Sequence, residues 1–332
     1  MGKKSRAGLL RAALVVVAMG VCVVLGARCN NTGGGPSGDI TFVAFGDTPY
    51  NWFEERQFEN LVDALNADTL DFVLHVGDLL WRPCSDEKLR ERLEALQRIR
   101  HPVAYTPGDN EWTDCWGTAE GGYEPLERLE AVRRIYFGPG VNIGGAPLPA
   151  EAQSRDSLWA EFGENRRWEA GGVVFATIHM VGSWNGRGVF DGRKEADDRA
   201  ADRRTAAAVA WLEDTFRAAG EADAKGVVLV THAYVDPDTH SNNYVEAYEP
   251  FIARLEEEVA AYERPVFLVH GDDHEYVVDY PLSDRRTGET LTDFTRLQVP
   301  GSPEVGWVRV VVDTASMEFD FSRRRVAPWN LW

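Results

Sequence analysis

Five apolar runs in this chain stop on residues of one chemical kind. ITFVAFGD ends at Asp47, DFVLHVGD at Asp78 and VAYTPGDN at Asp109 and Asn110, while GVVLVTHA reaches His232 and PVFLVHGDDH reaches Asp272 and His274. Between the runs, apolar residues recur at helical spacing: Phe58, Leu61, Val62 and Leu65, then Leu89, Leu93 and Leu96, then Phe251, Leu255 and Val259. This alternation predicts repeated β-α units and a largely parallel sheet. Parallel strands deliver their C-terminal ends to one edge, where ligands bind in open α/β folds. One Gly-Asp at a strand end is an ordinary turn or helix cap. Several carboxylates crowded at a single edge would repel one another, and divalent cations are the simplest means of holding them.

The order of these segments resembles the calcineurin-like metallophosphoesterases, which carry D-x-H, G-D, G-N-H-[DE], a lone His and G-H-x-H. Here the elements read Asp47-Thr48-Pro49, Gly77-Asp78, Gly108-Asp109-Asn110-Glu111, His232 and Gly271-Asp272-Asp273-His274, spanning residues 40 to about 312. The resemblance implies an α/β fold, a sandwich of two mixed β-sheets flanked by helices. It also implies two divalent metal ions (Mn, Fe, Mg or Zn) and hydrolysis of phosphate mono- or diesters, or anhydrides, by a metal-bridging hydroxide. Carried over residue by residue, Asp47 and His274 hold one metal, Asp78 bridges both, and Asp109, His232 and Asp272 hold the other. In two-metal sites such a pair activates water and neutralises phosphoryl oxygens.

Three of the metal-ligand positions depart from the family pattern. Pro49 replaces a metal-binding histidine, Asp272 replaces another imidazole, and Asp109 stands where the family has a neutral amide. The set of four carboxylates and two imidazoles suits hard cations. Asn110 stands where the family places the histidine that contacts the scissile phosphate and assists the leaving group. An amide donates a hydrogen bond but transfers no proton, and general acid help is typically worth about 10² to 10⁴ in rate. His179, His240 and Glu111 are the candidate replacement acids. Asn110, Glu111 and Tyr50 are the candidate substrate-binding residues, and Asp78, Asn110 and His179 the candidate catalytic ones. A catalytically impaired relative, acting as a metal- or anion-binding surface module, is the alternative that the lost histidines leave open.

An aromatic residue follows each of the first three aspartates at the same displacement: Tyr50, Trp81 and Trp112. Each ring either caps the sheet edge or walls a pocket. In the related purple acid phosphatases a tyrosine three residues after the second aspartate binds ferric iron. Trp81 occupies that place, so no iron-tyrosinate centre is expected. His75 and His270, inside apolar runs, are expected to be buried and hydrogen-bonded. Residues 138–170 give no periodic signal and read as a long loop. The segments LQV, GWVRVVVD and MEFDF beyond Leu297 read as short antiparallel strands.

The chain carries 53 acidic and 35 basic side chains, a formal net charge of -18. A surface this acidic repels phosphate backbones, so nucleic-acid binding by a basic face is not expected; the partner that the resemblance implies is a small phosphorylated substrate. Residues 1–28, with a basic start and an uncharged run from Ala12 to Ala27, read as a signal peptide or membrane anchor that contacts membrane if uncleaved or lipidated. Residues 29–38 form a Gly-rich linker, 39–322 the phosphoesterase-type domain and 323–332 a C-terminal tail. Export follows: secreted, periplasmic or membrane-anchored. Cys84 and Cys115 each lie six residues past an aspartate, and in an oxidising compartment a Cys84–Cys115 disulfide clamping two loops is expected.

Overall fold

The computed structural model describes residues 38–233 and 242–327, with the backbone alone for 242–246. The expected leader, the linker up to residue 37, His240 and the last five residues lie outside the described residues. No helix of the described residues is long and apolar enough to cross a membrane.

All five apolar runs form strands, and they divide between two sheets. The first sheet contains β1 (Ile40–Phe45), β2 (Phe72–His75), β3 (Val103–Tyr105), β11 (Gly306–Asp313) and β12 (Glu318–Arg325), in the order β12-β11-β1-β2-β3. Strands β1, β2 and β3 are parallel, whereas β11 and β12 add antiparallel partners. The second sheet contains β4 (Glu151–Ala152), β5 (Arg166–Ala170), β6 (Val173–Thr177), β7 (Gly226–Val230), β8 (Val266–His270), β9 (Val277–Asp279) and β10 (Phe294–Gln298), ordered β4-β5-β6-β7-β8-β10-β9. Its centre is parallel and its flanks are antiparallel. Both sheets are therefore mixed.

The strands are apolar on both faces because both faces are covered. Phe42 and Ala44 of β1 and Phe72 and Leu74 of β2 meet Phe175, Val228, Val230, Phe267 and Val269 of the second sheet in a core between the sheets. The intervening residues, Val43, Phe45 and Val73, face α1 (Trp52–Ala67), α2 (Asp86–Gln97) and α3 (Pro125–Tyr136). On the far side Val227, Leu229 and Leu268 pack on helices Glu195–Glu221 and Asn242–Tyr262 through Trp211, Phe216, Phe251, Leu255 and Val259. The layers run α/β/β/α. Helices α1 and α2 begin on side-chain caps: Asn51 caps α1 by accepting from the N–H groups of Phe53 and Glu54, and Ser85 caps α2 by accepting from Lys88 N–H.

The structure corrects three expectations. Residues 138–170 are not one loop, since β4, two 3₁₀ turns and β5 lie within them. The missed strand β5, RRWEA, buries only Trp168, so it has no apolar alternation to read; Arg167 instead reaches Asp214 at 2.9 Å. Strand β10 runs parallel to β8, because the connection 271–293 is long enough for a crossover. Strand β12 also continues past residue 322, pairing with β11 as far as Arg325.

Cys84 and Cys115 form a disulfide with Cα atoms 5.7 Å apart, joining the loop after β2 to the loop after β3. The bridge closes a 31-residue separation, so its loss should cost about 3 to 4 kcal/mol through loop entropy. Urea unfolding of Cys84→Ser/Cys115→Ser beside the oxidised protein measures this. Thiol titration of the unfolded, unreduced chain should detect neither sulfur.

Candidate metal centre

The C-terminal ends of β1, β2 and β3 meet those of β7 and β8 at one edge, and the loops there are stitched together by backbone hydrogen bonds. Asp47 N–H donates to Gly77 C=O at 3.1 Å, Gly271 N–H to His232 C=O at 3.1 Å, and Ser302 N–H to Asp47 C=O at 2.9 Å. The residues carrying functional groups adopt unusual backbone. Asp47, Asp78, Asp272 and His274 have φ of 53°, 58°, 78° and 61°, a region that side chains with a Cβ rarely enter. Such strain persists only where the surroundings impose it, and it collects at functional sites. Space is tight as well. A methyl group on Gly77, itself at φ 103°, would strike the backbone of Gly108 and the ring of His232, and one on Gly182 would strike the carboxylates of Asp109 and Asp272.

His232 is wholly buried at the middle of the cluster. Its Nδ1 lies 2.8 Å from Val76 C=O, an acceptor only, so Nδ1 carries the proton. That bond turns Nε2 toward the carboxylates: 3.3 Å from Asp109 Oδ1, 3.4 Å from Asp78 Oδ1 and 3.5 Å from Asp272 Oδ1. His274 is oriented in the same way. Its Nδ1 is 2.8 Å from Ser302 C=O, and its Nε2 is 3.7 Å from Asp47 Oδ1. An imidazole anchored at one nitrogen by a carbonyl presents the other as a ligand, the usual arrangement around bound metals.

The donors form two overlapping groups, each able to reach one ion: Asp47, Asp78 and His232, and Asp109, His232 and Asp272. The protein alone does not satisfy them. Asp47 Oδ2 is buried with no hydrogen-bond partner among the described residues. Burial, with Asp272 nearby, lifts Asp47 to about 7 against the pull of His232 and His274. Burial also holds Asp78 well above the usual carboxylate range. For His232, burial alone would depress the imidazole, but Asp78, Asp109 and Asp272 together hold its pKa well above the ordinary value. A buried acceptor without a donor, amid carboxylates forced toward protonation, is what a divalent cation relieves. These residues fit a metal.

Of the remaining sequence candidates, Tyr50 reaches the cluster: its hydroxyl donates to Asp78 Oδ2 at 2.6 Å and lies 3.4 Å from His274 Nε2. Asn110 donates its backbone N–H to Asp78 Oδ1 at 3.1 Å, and it lines a cleft beside the cluster. Glu111 does not face that cleft. Its wholly buried carboxylate accepts from the backbone N–H groups of Asp78 at 3.1 Å, Gly108 at 2.7 Å and Leu79, so it clamps the two Gly-Asp loops together. His179 is also turned away, buried with Nδ1 2.9 Å from Glu164 and its ring against Trp112. Neither residue is placed to protonate a leaving group. His75 and His270 are buried as expected, and burial takes each to about 3. Trp81 is exposed, whereas Trp112 is core.

Two neighbours escaped the sequence reading. Asp114 accepts from the Ser183 hydroxyl at 2.7 Å, and burial with the nearby Asp109 lifts it to about 7. Ser183 belongs to a left-handed turn, with Ser183, Trp184 and Asn185 at φ 48°, 57° and 52°. The acid five places past Asp109 was a visible signal; the turn was not. Asn185, in the same turn, is buried, with its amide donating to Thr205 Oγ1 at 3.1 Å.

The sequence model of the calcineurin-like phosphoesterases matches residues 40–276. No curated protein matches the chain. Among solved structures, PhoD is similar with a TM-score of 0.53 at 11% identity, covering 89% of this chain and 73% of PhoD. TT1561 of Thermus thermophilus gives 0.46 at 12% identity over 87% of this chain and all of that one. GAP50, the anchor in the inner membrane complex of Plasmodium, gives 0.46 at 10% identity over 87% of this chain and 89% of that one. At these identities the likeness to PhoD is one of fold.

The pair behind the cluster sets a pH dependence. Burial would raise Glu164, but Arg133, at 2.7 Å, and His179 hold it down to about 2. Burial pushes His179 down to about 4 despite Glu164. A depressed imidazole stabilises the fold fully above its ordinary value of 6.5, and that contribution is lost as the pH falls toward 4. Urea midpoints of the protein should therefore drop relative to those of His179→Gln across that interval, with the two curves parallel above it.

Proposed function

The chain belongs to the calcineurin-like phosphoesterase family, and we propose that it is a metal-dependent hydrolase of phosphate esters or anhydrides. The observation that carries this reading is the pairing of two carbonyl-anchored imidazoles with buried carboxylates that lack sufficient donors of their own. By the family pattern Asp47, Asp78 and His274 would hold one divalent cation and Asp78, Asp109, His232 and Asp272 a second; His232 lies within reach of both donor groups, and His274 Nε2 is 3.7 Å from Asp47 Oδ1. When bound, such cations supply Lewis acidity toward phosphoryl oxygens and toward water. The chain's own groups do the rest. Tyr50 O–H fixes one oxygen of Asp78 and Asn110 N–H fixes the other, so the shared carboxylate is held from both sides. Asn110 borders the cleft, and its side-chain amide would donate a hydrogen bond to a phosphoryl or leaving-group oxygen.

Export is proposed on the basic, apolar start of the chain, and the Cys84–Cys115 disulfide supports it, since such bonds persist in oxidising compartments. A binding module without turnover remains the second reading, favoured by Asn110 in place of a proton-transferring histidine.

Two measurements decide between them. Mn²⁺ should raise the melting temperature and drive hydrolysis of an aryl phosphate ester, and Asp78→Ala should abolish the thermal shift and cut turnover by about a thousandfold. A thermal shift without turnover on any ester establishes the binding module. Without an imidazole at position 110, rates should depend steeply on the leaving group, with aryl esters far faster than alkyl esters. Asn110→His should raise alkyl-ester turnover about 10²-fold and change aryl-ester turnover little.

A further inference from the structure

A cleft of about 490 Å³ opens beside the carboxylate cluster and shares Asn110 with it as a wall. Its other walls include Trp81, Trp116 and Trp184, which are 50%, 40% and 39% exposed. Exposed tryptophans are costly to keep in water, and three of them facing one cleft imply a ligand that covers them. Among the described residues that line it, the charged ones are Asp114 and Glu120, and none is basic. Two guanidiniums at the rim already use aromatic faces in the way an incoming cation would. Arg82 lies 5.8 Å over the Trp81 ring, with Nη1 3.9 Å from Glu120, and Arg193 lies 5.6 Å over Phe190, where it also pairs with Asp198.

Anionic and neutral ester groups fit this lining poorly. An anion meets the carboxyl groups of Asp114 and Glu120 with no base among the lining residues, and a neutral group leaves the aromatic faces without the charge that they attract. A cation without hydrogen-bond donors gains from both features, since the ring faces attract it and it needs no acceptor geometry. We propose that the cleft receives a quaternary alkylammonium group of the choline type, carried on one alcohol of the phosphoester. The assignment rests on the phosphoesterase reading for what happens at phosphorus, but the subsite is testable without turnover.

Binding is read first, by quenching of tryptophan fluorescence with choline and with its uncharged carbon isostere 3,3-dimethylbutanol. Choline should bind at least about tenfold more tightly. Trp184→Ala should erase the difference, and Trp184→Phe should keep most of it, which separates a lost ring face from a lost fold. Equal quenching by the two alcohols, or none by either, overturns the subsite and leaves the phosphoesterase reading intact. Turnover is read second, with p-nitrophenylphosphorylcholine against p-nitrophenyl 3,3-dimethylbutyl phosphate. The charged ester should have a KM about tenfold lower with a similar kcat, and equal KM values overturn the proposal. Hydrolysis of neither ester, with choline still bound, upholds the subsite and removes the phosphoesterase reading alone. Competition by glycerophosphocholine or by phosphatidylcholine vesicles then assigns the ammonium to a soluble ester or to a lipid headgroup, and either result upholds it.

Discussion

The bond from His232 Nδ1 to Val76 C=O joins the two sheets at the edge where the functional groups collect. Val76 follows β2 of one sheet and His232 follows β7 of the other, so this imidazole ties the two strand ends together across the sheets. The same bond determines which ring nitrogen is protonated, and hence that Nε2 faces Asp78, Asp109 and Asp272. Were the ring to turn over, the carboxylates would lose the group that partly balances them, and Val76 C=O would lose its donor. Both changes are expensive in a site this buried.

Around that bond, the fold accepts local strain to keep the donors close. Four of the six candidate ligands sit in left-handed backbone, and glycine is required where loops pass each other. Neither feature favours folding on its own. The compensation is distributed: three apolar layers, the backbone bonds between loops and the disulfide at the β2 and β3 ends hold these residues where their intrinsic preferences would not.

The strands, the helical faces and the edge at which Asp47, Asp78, Asp109, His232, Asp272 and His274 gather were legible because each rests on a local pattern. The disulfide was legible from two cysteines at matched offsets. What escaped depends on direction. Trp81 and Trp112 have the same displacement from their aspartates, yet Trp112 N–H bonds back to Asp109 C=O in a tight turn that carries its ring under Arg204, while Trp81 stays outside. Glu111 and His179 have the chemistry of acids, but their partners, three backbone N–H groups and Glu164, lie on segments remote in sequence or follow from turns with no spacing signature. β5 was invisible because a strand that buries only Trp168 among charged side chains has no apolar rhythm.

Glu111 has one further consequence. Because its carboxylate is bound to three backbone N–H groups, the spacing of the two Gly-Asp loops is fixed by protein alone. A centre shaped in this way would need no folding step on taking up a cation. Exchange between cations would then be a matter of diffusion and ligand release, so any ion held there would reflect the supply in its compartment as much as the donors.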